Sequence, residues 1–299
     1  MYTKMLIPLD GSEVSQQVLP YARSLARKLE LPVELLEVVD VVGLSAAVAA
    51  CDKGNVESLI AETTRGSAAF LERISKTFSE VSVHCAVEKG RAGEVIIEKG
   101  AADSGTLIAM ATHGRSGIDR WLLGSVVEKV VRETTNPLLL VRASRGGAYE
   151  GEATLKSLIV PLDGSPLAEK ALPHATLLAN AMGLEMILFG AYSLTPAITA
   201  SDEYIPDLNK LEAVFKGEAV GYLENKAAEL KKVGPARVSS LVSEGEAAEK
   251  IIDLAKQNPN SLVVICSHGR SGVKRWVLGS VTEKVMRHSS GPVLIIRGG

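Results

Sequence analysis

The sequence predicts an α/β protein built from two tandem, doubly wound, five-stranded parallel sheets, and three observations predict it. Residues 5–12 read MLIPLDGS, and residues 158–165 read LIVPLDGS. Residues 113–142, HGRSGIDRWLLGSVVEKVVRETTNPLLLVR, return over 268–297 as HGRSGVKRWVLGSVTEKVMRHSSGPVLIIR, identical at more than half of their positions. Chance pairing of unrelated segments does not produce that. Within each half, short apolar runs alternate with stretches of helical period. Strands that are apolar on both faces and separated by helices belong to a parallel sheet covered on both sides.

In the first half the strands are expected at 4–9, 33–39, 81–87, 106–111 and 138–142, with helical stretches at 15–29, 57–78, 93–102 and 126–134. The second half repeats the strands at 158–162, 185–191, 237–242, 262–266 and 293–297. Residues 144–154 contain Gly146, Gly147 and Gly151 and have no apolar periodicity, so they read as an exposed linker. The expected domains are therefore 1–143 and 155–299, each near the commonest domain size. Residues 40–55 and 193–208 follow the second strand of each half and differ most between halves. They stand at the carboxyl ends of strands, where lids over ligands are commonly built.

Bulk composition excludes several classes. The chain of 299 residues is 46% hydrophobic and 23% charged, with a net charge of −2. That balance gives no field to gather nucleic acid or an anionic membrane surface, and 4% aromatic content weakens any case for base stacking. Cys51, Cys85 and Cys266 are odd in number and lack metal-ligand spacing, so no disulfide framework is expected. No signal peptide and no run of 18 or more apolar residues is visible, which places the expected location in the cytoplasm.

The chemistry-bearing residues fall at two strand ends. In an open parallel sheet, ligands bind beyond the carboxyl ends of the strands where the strand order reverses. The first and fourth strands of each half end in the most repeated segments and are expected to face one crevice. After the fourth strand come Ala111, His113, Gly114, Arg115, Gly117, Gly124, Ser125, Val126 and Val127, matched by Cys266, His268, Gly269, Arg270, Gly272, Gly279, Ser280, Val281 and Thr282. Ser125 with Glu128, and Ser280 with Glu283, have capping-box spacing. A helix starting there presents backbone N–H groups and the positive end of its dipole, which together attract an anion. Gly124 and Gly279 let a phosphate approach the backbone closely. Asp10 and Asp163 end the first strand of each half in Pro-Leu-Asp-Gly-Ser. A carboxylate facing phosphates repels them unless it holds Mg²⁺ or a ribose hydroxyl. The other reading is a plain Asp-Gly-Ser turn, with Asp or Ser capping the next helix.

On these motifs the sequence resembles a tandem universal stress protein of the ATP-binding type, over both halves almost end to end. ATP-binding members of that family carry Gly-x2-Gly-x9-Gly-(Ser/Thr) after the fourth strand. Gly114, Gly124 and Ser125 match it, as do Gly269, Gly279 and Ser280, whereas Ala111 and Cys266 stand where the first glycine falls. The resemblance implies an adenine nucleotide alpha hydrolase-like, Rossmann-like sandwich. It further implies nucleotide contacts at Pro8, Leu9, Asp10 and Val38 in the first half and at Pro161, Leu162, Asp163 and Ala191 in the second. Pairing of the terminal strands 138–142 and 293–297 across domains, and a homodimer of chains, are implied in the same way. An ordinary edge strand guarded by proline and arginine is the alternative.

His113 and His268 invite general-base chemistry, but no carboxylate stands at a spacing that fixes a tautomer, and loop packing is the competing reading. Arg115, Arg120, Arg270 and Arg275 either neutralise phosphates or form a solvated face, and Trp121 and Trp276 are read as core. A phosphate-binding Gly-x4-Gly-Lys-(Ser/Thr) loop is absent, as is Gly-x-Gly-x-x-Gly after the first strand. No residue is assigned a catalytic role. The expectation is an ATP- and Mg²⁺-binding regulatory or protective stress protein, with a slow ATPase or autokinase as the alternative.

Overall fold

The computed structural model describes residues 1–41, 56–112, 124–144, 146, 150–193, 208–234, 237–267 and 278–298. It forms two units, Met1–Thr154 and Leu155–Gly298. In the first, the order is β1 (Lys4–Pro8), α1 (Glu13–Gln16), α2 (Leu19–Lys28), β2 (Val33–Val39), α3 (Val56–Ser75), β3 (Val83–Lys89), α4 (Ala92–Ala101), β4 (Thr106–Thr112), α5 (Ser125–Glu133) and β5 (Leu138–Arg142). The strands lie in the order β3-β2-β1-β4-β5, and each neighbouring pair is parallel.

The second unit repeats this plan with β6 (Ser157–Pro161), a 3-10 turn at Ala168–Lys170, α6 (Ala171–Met182), β7 (Glu185–Tyr192), α7 (Leu208–Val233), β8 (Val238–Glu244), α8 (Ala247–Gln257), β9 (Ser261–Cys266), α9 (Ser280–His288) and β10 (Val293–Ile296). Its order is β8-β7-β6-β9-β10, again parallel throughout. The doubly wound α/β architecture read from the sequence is present in both units.

The reversal of strand order lies between β1 and β4 in one unit and between β6 and β9 in the other, as the repeated strand-end segments imply. Right-handed crossovers then put α2 and α3 on one face of the first sheet and α4 and α5 on the other. The central strands are buried on both faces: Met5, Leu6 and Ile7 of β1 and Leu158, Ile159 and Val160 of β6 have no exposed surface. That explains why they read as continuous apolar runs rather than alternating ones.

Several bounds shift by one to three residues, and two of the differences have a clear physical reason. The helical stretch over 15–29 is divided into α1 and α2. Pro20, in the first turn of α2, has no N–H to bond back to Gln16, so the hydrogen-bond ladder is interrupted there. Strand β3 runs two residues later than its apolar pattern, because Glu88 and Lys89 continue in register with Val38 and Val39 of β2. On an edge strand polar side chains cost little.

Of the residues expected to form an exposed linker, those described are exposed, apart from the half-buried Ala153, and several are also fastened to the first unit. Gln17 and Ser144 exchange hydrogen bonds, with the Gln17 amide donating to the Ser144 carbonyl at 2.9 Å and the Ser144 N–H to Gln17 at 2.8 Å. The buried Arg23 guanidinium donates to the Gly151 carbonyl at 2.6 Å and stacks over Phe78, 5.8 Å from the ring centre. Arg27 grips Glu152 through two bonds of 2.9 and 2.6 Å. No helix among the described residues is long and apolar enough to cross a membrane.

Candidate functional site

Each unit opens a cleft at its strand-order reversal. In the first, Pro8 ends β1 and Leu9 and Asp10 follow it, Val38 comes from β2, Ala111 from β4, and Gly124, Ser125, Val126 and Val127 from the start of α5; together they line a cavity of about 180 Å³. In the second, Pro161, Leu162, Asp163, Ala191, Cys266, Gly279, Ser280, Val281 and Thr282 line one of about 320 Å³. His113, Gly114, Arg115, Gly117, His268, Gly269, Arg270 and Gly272 lie outside the described residues, as do Arg120, Trp121, Arg275 and Trp276 and nearly all of the expected lid segments.

The helix terminus that faces each cleft corrects the capping-box expectation. The N-caps of α5 and α9 are Gly124 and Gly279, neither helix has a side-chain cap, and Ser125 and Ser280 are already the first helical residues. The spacing misleads because the glutamates have another use. Glu128 pairs with Arg132 at 2.7 Å and Glu283 with Arg287 at 3.0 Å, each one turn along the helix. The first-turn N–H groups of an α-helix have no acceptor within the helix, and here no serine or glutamate side chain supplies one. Gly124 and Gly279 have φ of −58° in both helices, an ordinary value that any residue adopts. What glycine provides at these positions is room.

Asp10 and Asp163 sit in matching turns. Asp10 Oδ1 accepts from the Ser12 N–H at 3.0 Å and the Ser12 hydroxyl at 2.6 Å, and Asp163 Oδ1 holds Ser165 at the same two distances. The serines in turn accept from Ser15 N and Ala168 N, each at 3.1 Å. Gly11 and Gly164 supply the left-handed backbone of these turns, at φ +77° and +80°. The Asp-Gly-Ser turn is therefore real in both units. It engages Oδ1 of each aspartate and keeps the carboxylate at the rim of the cleft. No group of three metal-ligating side chains forms among the described residues. One carboxylate per cleft suits Mg²⁺, which commonly binds through one or two carboxylates plus substrate phosphates.

Sequence reasoning missed part of each lining. Val14, Ser15, Leu36, Ala92, Ile96 and Met110 complete the first cavity, and Ala168, Phe189, Ala247, Ile251 and Ile265 the second. Two signals could have found them. Leu36 is two residues before Val38 on one strand face, and Ile96 is four after Ala92 on one helix face.

Glu37 marks a difference between the halves. It accepts from the Ser67 hydroxyl at 2.8 Å, while its second oxygen is buried without a partner among the described residues. Burial pushes its carboxyl above the usual range, the Ser67 bond opposes this, and Asp10 adds to it. Folded protein thus holds this proton more tightly than unfolded protein does. The linked stability is full below the ordinary carboxylate range and is lost as pH rises through the elevated value. Glu37→Gln is expected to flatten that decline and to melt higher than the parent chain at pH 8 but not at pH 4. Thermal melts at the two pH values check it, and parallel curves for the two proteins contradict it.

Comparison with known proteins decides the family. The model of the universal stress protein family matches residues 1–142 and again 154–297. The chain belongs to the universal stress protein family. A full-length relative, a universal stress protein of Mycolicibacterium smegmatis, is 24% identical over 302 residues, covering 98% of this chain and 96% of that protein. Universal stress protein MJ0531 of Methanocaldococcus jannaschii is 35% identical over 149 residues, covering 48% of this chain and 83% of its own length. The crystal structure of a universal stress protein from Archaeoglobus fulgidus superposes with a TM-score of 0.68 over 99% of this chain and 98% of that one, at 21% identity, a likeness of fold. In this universal stress protein the two family matches coincide with two copies of the same cleft.

Proposed function

We propose that each half binds one ATP with Mg²⁺, and that occupancy, rather than turnover, is the output of this stress protein. The observation that carries the reading is the pairing, in both halves, of an uncapped helix terminus with an apolar cleft and a single carboxylate. Phosphates suit the N–H groups of the first turn of α5 or α9. The apolar walls formed by Leu36 and Val38, or by Phe189 and Ala191, suit the adenine. Asp10 and Asp163 then hold Mg²⁺ against the phosphates, or a ribose hydroxyl. The glycine-loop residues from His113 to Gly117 and from His268 to Gly272 belong to the same proposal.

Phosphoryl transfer needs a placed nucleophile or water and fixed positive charge around the transferred group. Among the described residues each cleft is lined by one carboxylate, two hydroxyl side chains and otherwise apolar groups or glycine, with no lysine, arginine or histidine to supply positive charge or act as a base. Turnover is expected to stay far below the roughly 1–100 s⁻¹ of kinases. Titration calorimetry on the full chain stripped of nucleotide tests the binding reading. Two equivalents of ATP per chain, dependent on Mg²⁺, are expected, and a stoichiometry of zero overturns it. The proposal includes a homodimer of chains, which light scattering at micromolar concentration checks; a strictly monomeric chain removes that part.

A further inference from the structure

We propose that the second half carries a second small-molecule site, on the opposite face of its sheet from the nucleotide cleft, and that this site takes a small organic ammonium ion. A cavity of about 580 Å³ lies where the ends of β6 and β7 meet α7. That volume falls within the usual range for ligand pockets. It shares Leu162, Asp163 and Ala191 with the cleft, and its remaining walls come from Gly164, the end of β7 and α7 rather than from α8 and α9.

A change in sequence between the halves accounts for the opening. Pro8 pairs with Leu36 as Pro161 pairs with Phe189, so Gly190 occupies the place of Glu37. The buried residues Leu71 and Ile74 of α3 correspond to Ala227 and Leu230 of α7, which sets Leu223 where Ser67 stands and Tyr222 where Gly66 stands. Contact geometry supports this alignment. Ser67 touches Glu37 at 2.8 Å, and a β-carbon added to Gly190 would meet Leu223 Cδ1 at 3.1 Å. The Glu37–Ser67 pair of the first half has thus become Gly190–Leu223, and the carboxylate is gone from that face.

The walls state what they accept. Tyr192, Phe215 and Tyr222 supply aromatic surface, and Asp163 and Glu218 supply carboxylates. No lysine, arginine or histidine is among the described lining residues. The Tyr192 hydroxyl donates to Glu212 at 3.2 Å and the Tyr222 hydroxyl to Glu169 at 2.9 Å. Each hydroxyl proton is therefore spent on a carboxylate outside the cavity, and the phenolic oxygens remain as acceptors. Aromatic walls with nearby carboxylates and few donors attract an ammonium head, through the ring quadrupole and through charge. The same walls repel phosphate, which separates this site from the nucleotide cleft.

Choline is the probe, and 3,3-dimethylbutan-1-ol, its uncharged isostere, is the control. Titration of the full chain is expected to show one choline site per chain, and the isostere to bind about tenfold more weakly or less. Glu218 is exposed, so Glu218→Gln keeps the fold and is expected to weaken choline severalfold. The double change Glu218→Lys, Ala219→Lys sets two ammonium groups on the α7 wall of the cavity and is expected to abolish binding by charge repulsion. Absence of choline binding at about 10 mM, a value near the weak end of specific affinity, overturns the proposal. So does equal binding of choline and its isostere, or choline binding untouched by both Glu218→Gln and the double change. If the double variant fails to fold by circular dichroism, the Glu218→Gln and isostere results decide.

Discussion

Gly279→Leu is expected to lower ATP affinity of the second cleft by about 100-fold or more, equivalent to roughly 2.7 kcal/mol, and to leave the fold unchanged. Gly279 is the N-cap of α9 and lines the cleft, and its φ of −58° is open to leucine without backbone strain. The added side chain enters the space in which a phosphate would meet the first-turn N–H groups of Ser280, Val281 and Thr282. Gly124→Leu is expected to do the same in the first half, where the N-cap has the same φ. Calorimetry on each single variant then reports one remaining equivalent, and the double variant none. Two full equivalents in either single variant would place the phosphates elsewhere. Unchanged melting of the variants is part of the expectation, since a loss of binding through unfolding carries a lower melting temperature with it.

The parts of this structure legible in the sequence are those fixed by local chemistry. Strands β1, β4, β6 and β9 are continuous apolar runs because both faces are covered, and their bounds fall within one residue of the reading. The turns at Asp10 and Asp163 are visible as Asp-Gly-Ser, because an aspartate side chain bonds the backbone two residues on and glycine takes positive φ without steric cost. What was not legible depends on partners distant in sequence. Glu128 is the exception, since Arg132 stands only four residues on: the capping box and the i,i+4 ion pair are competing local readings, and the ion pair is the one that forms. Ile96 reaches the cleft only because α4 crosses beside β4 and α5. The exchange of Glu37 and Ser67 for Gly190 and Leu223 involves residues 30 apart in the first half, and no local pattern announces it. The fastening of Arg23 to Gly151 was hidden for the same reason: a glycine-rich stretch without periodicity gives no hint that its carbonyls will be used.

Two aspartate substitutions four residues apart on α5 are expected to separate the fold from the site. Val130 has no exposed surface and packs with Val127 and Val131 against the sheet. Val130→Asp buries a carboxylate that the site can neither hydrate nor pair, a change in the class that exceeds about 4–5 kcal/mol. A domain typically holds roughly 5–15 kcal/mol in all, so the first half is expected to lose its fold and its nucleotide equivalent together. Val126, one turn earlier, is partly exposed and lines the cleft. Val126→Asp sets a negative charge in the first turn, where the helix dipole favours it by about 0.3–1 kcal/mol, so the fold is expected to persist. The same charge competes for the N–H groups and repels phosphate, and ATP affinity of the first half is expected to fall by about 100-fold. Far-UV circular dichroism melts and calorimetry on the two variants make the distinction. If Val126→Asp binds ATP as the parent chain does, the anion does not sit at this helix terminus. If Val130→Asp melts as the parent does, the buried face of α5 contributes far less to the first half than its complete enclosure implies.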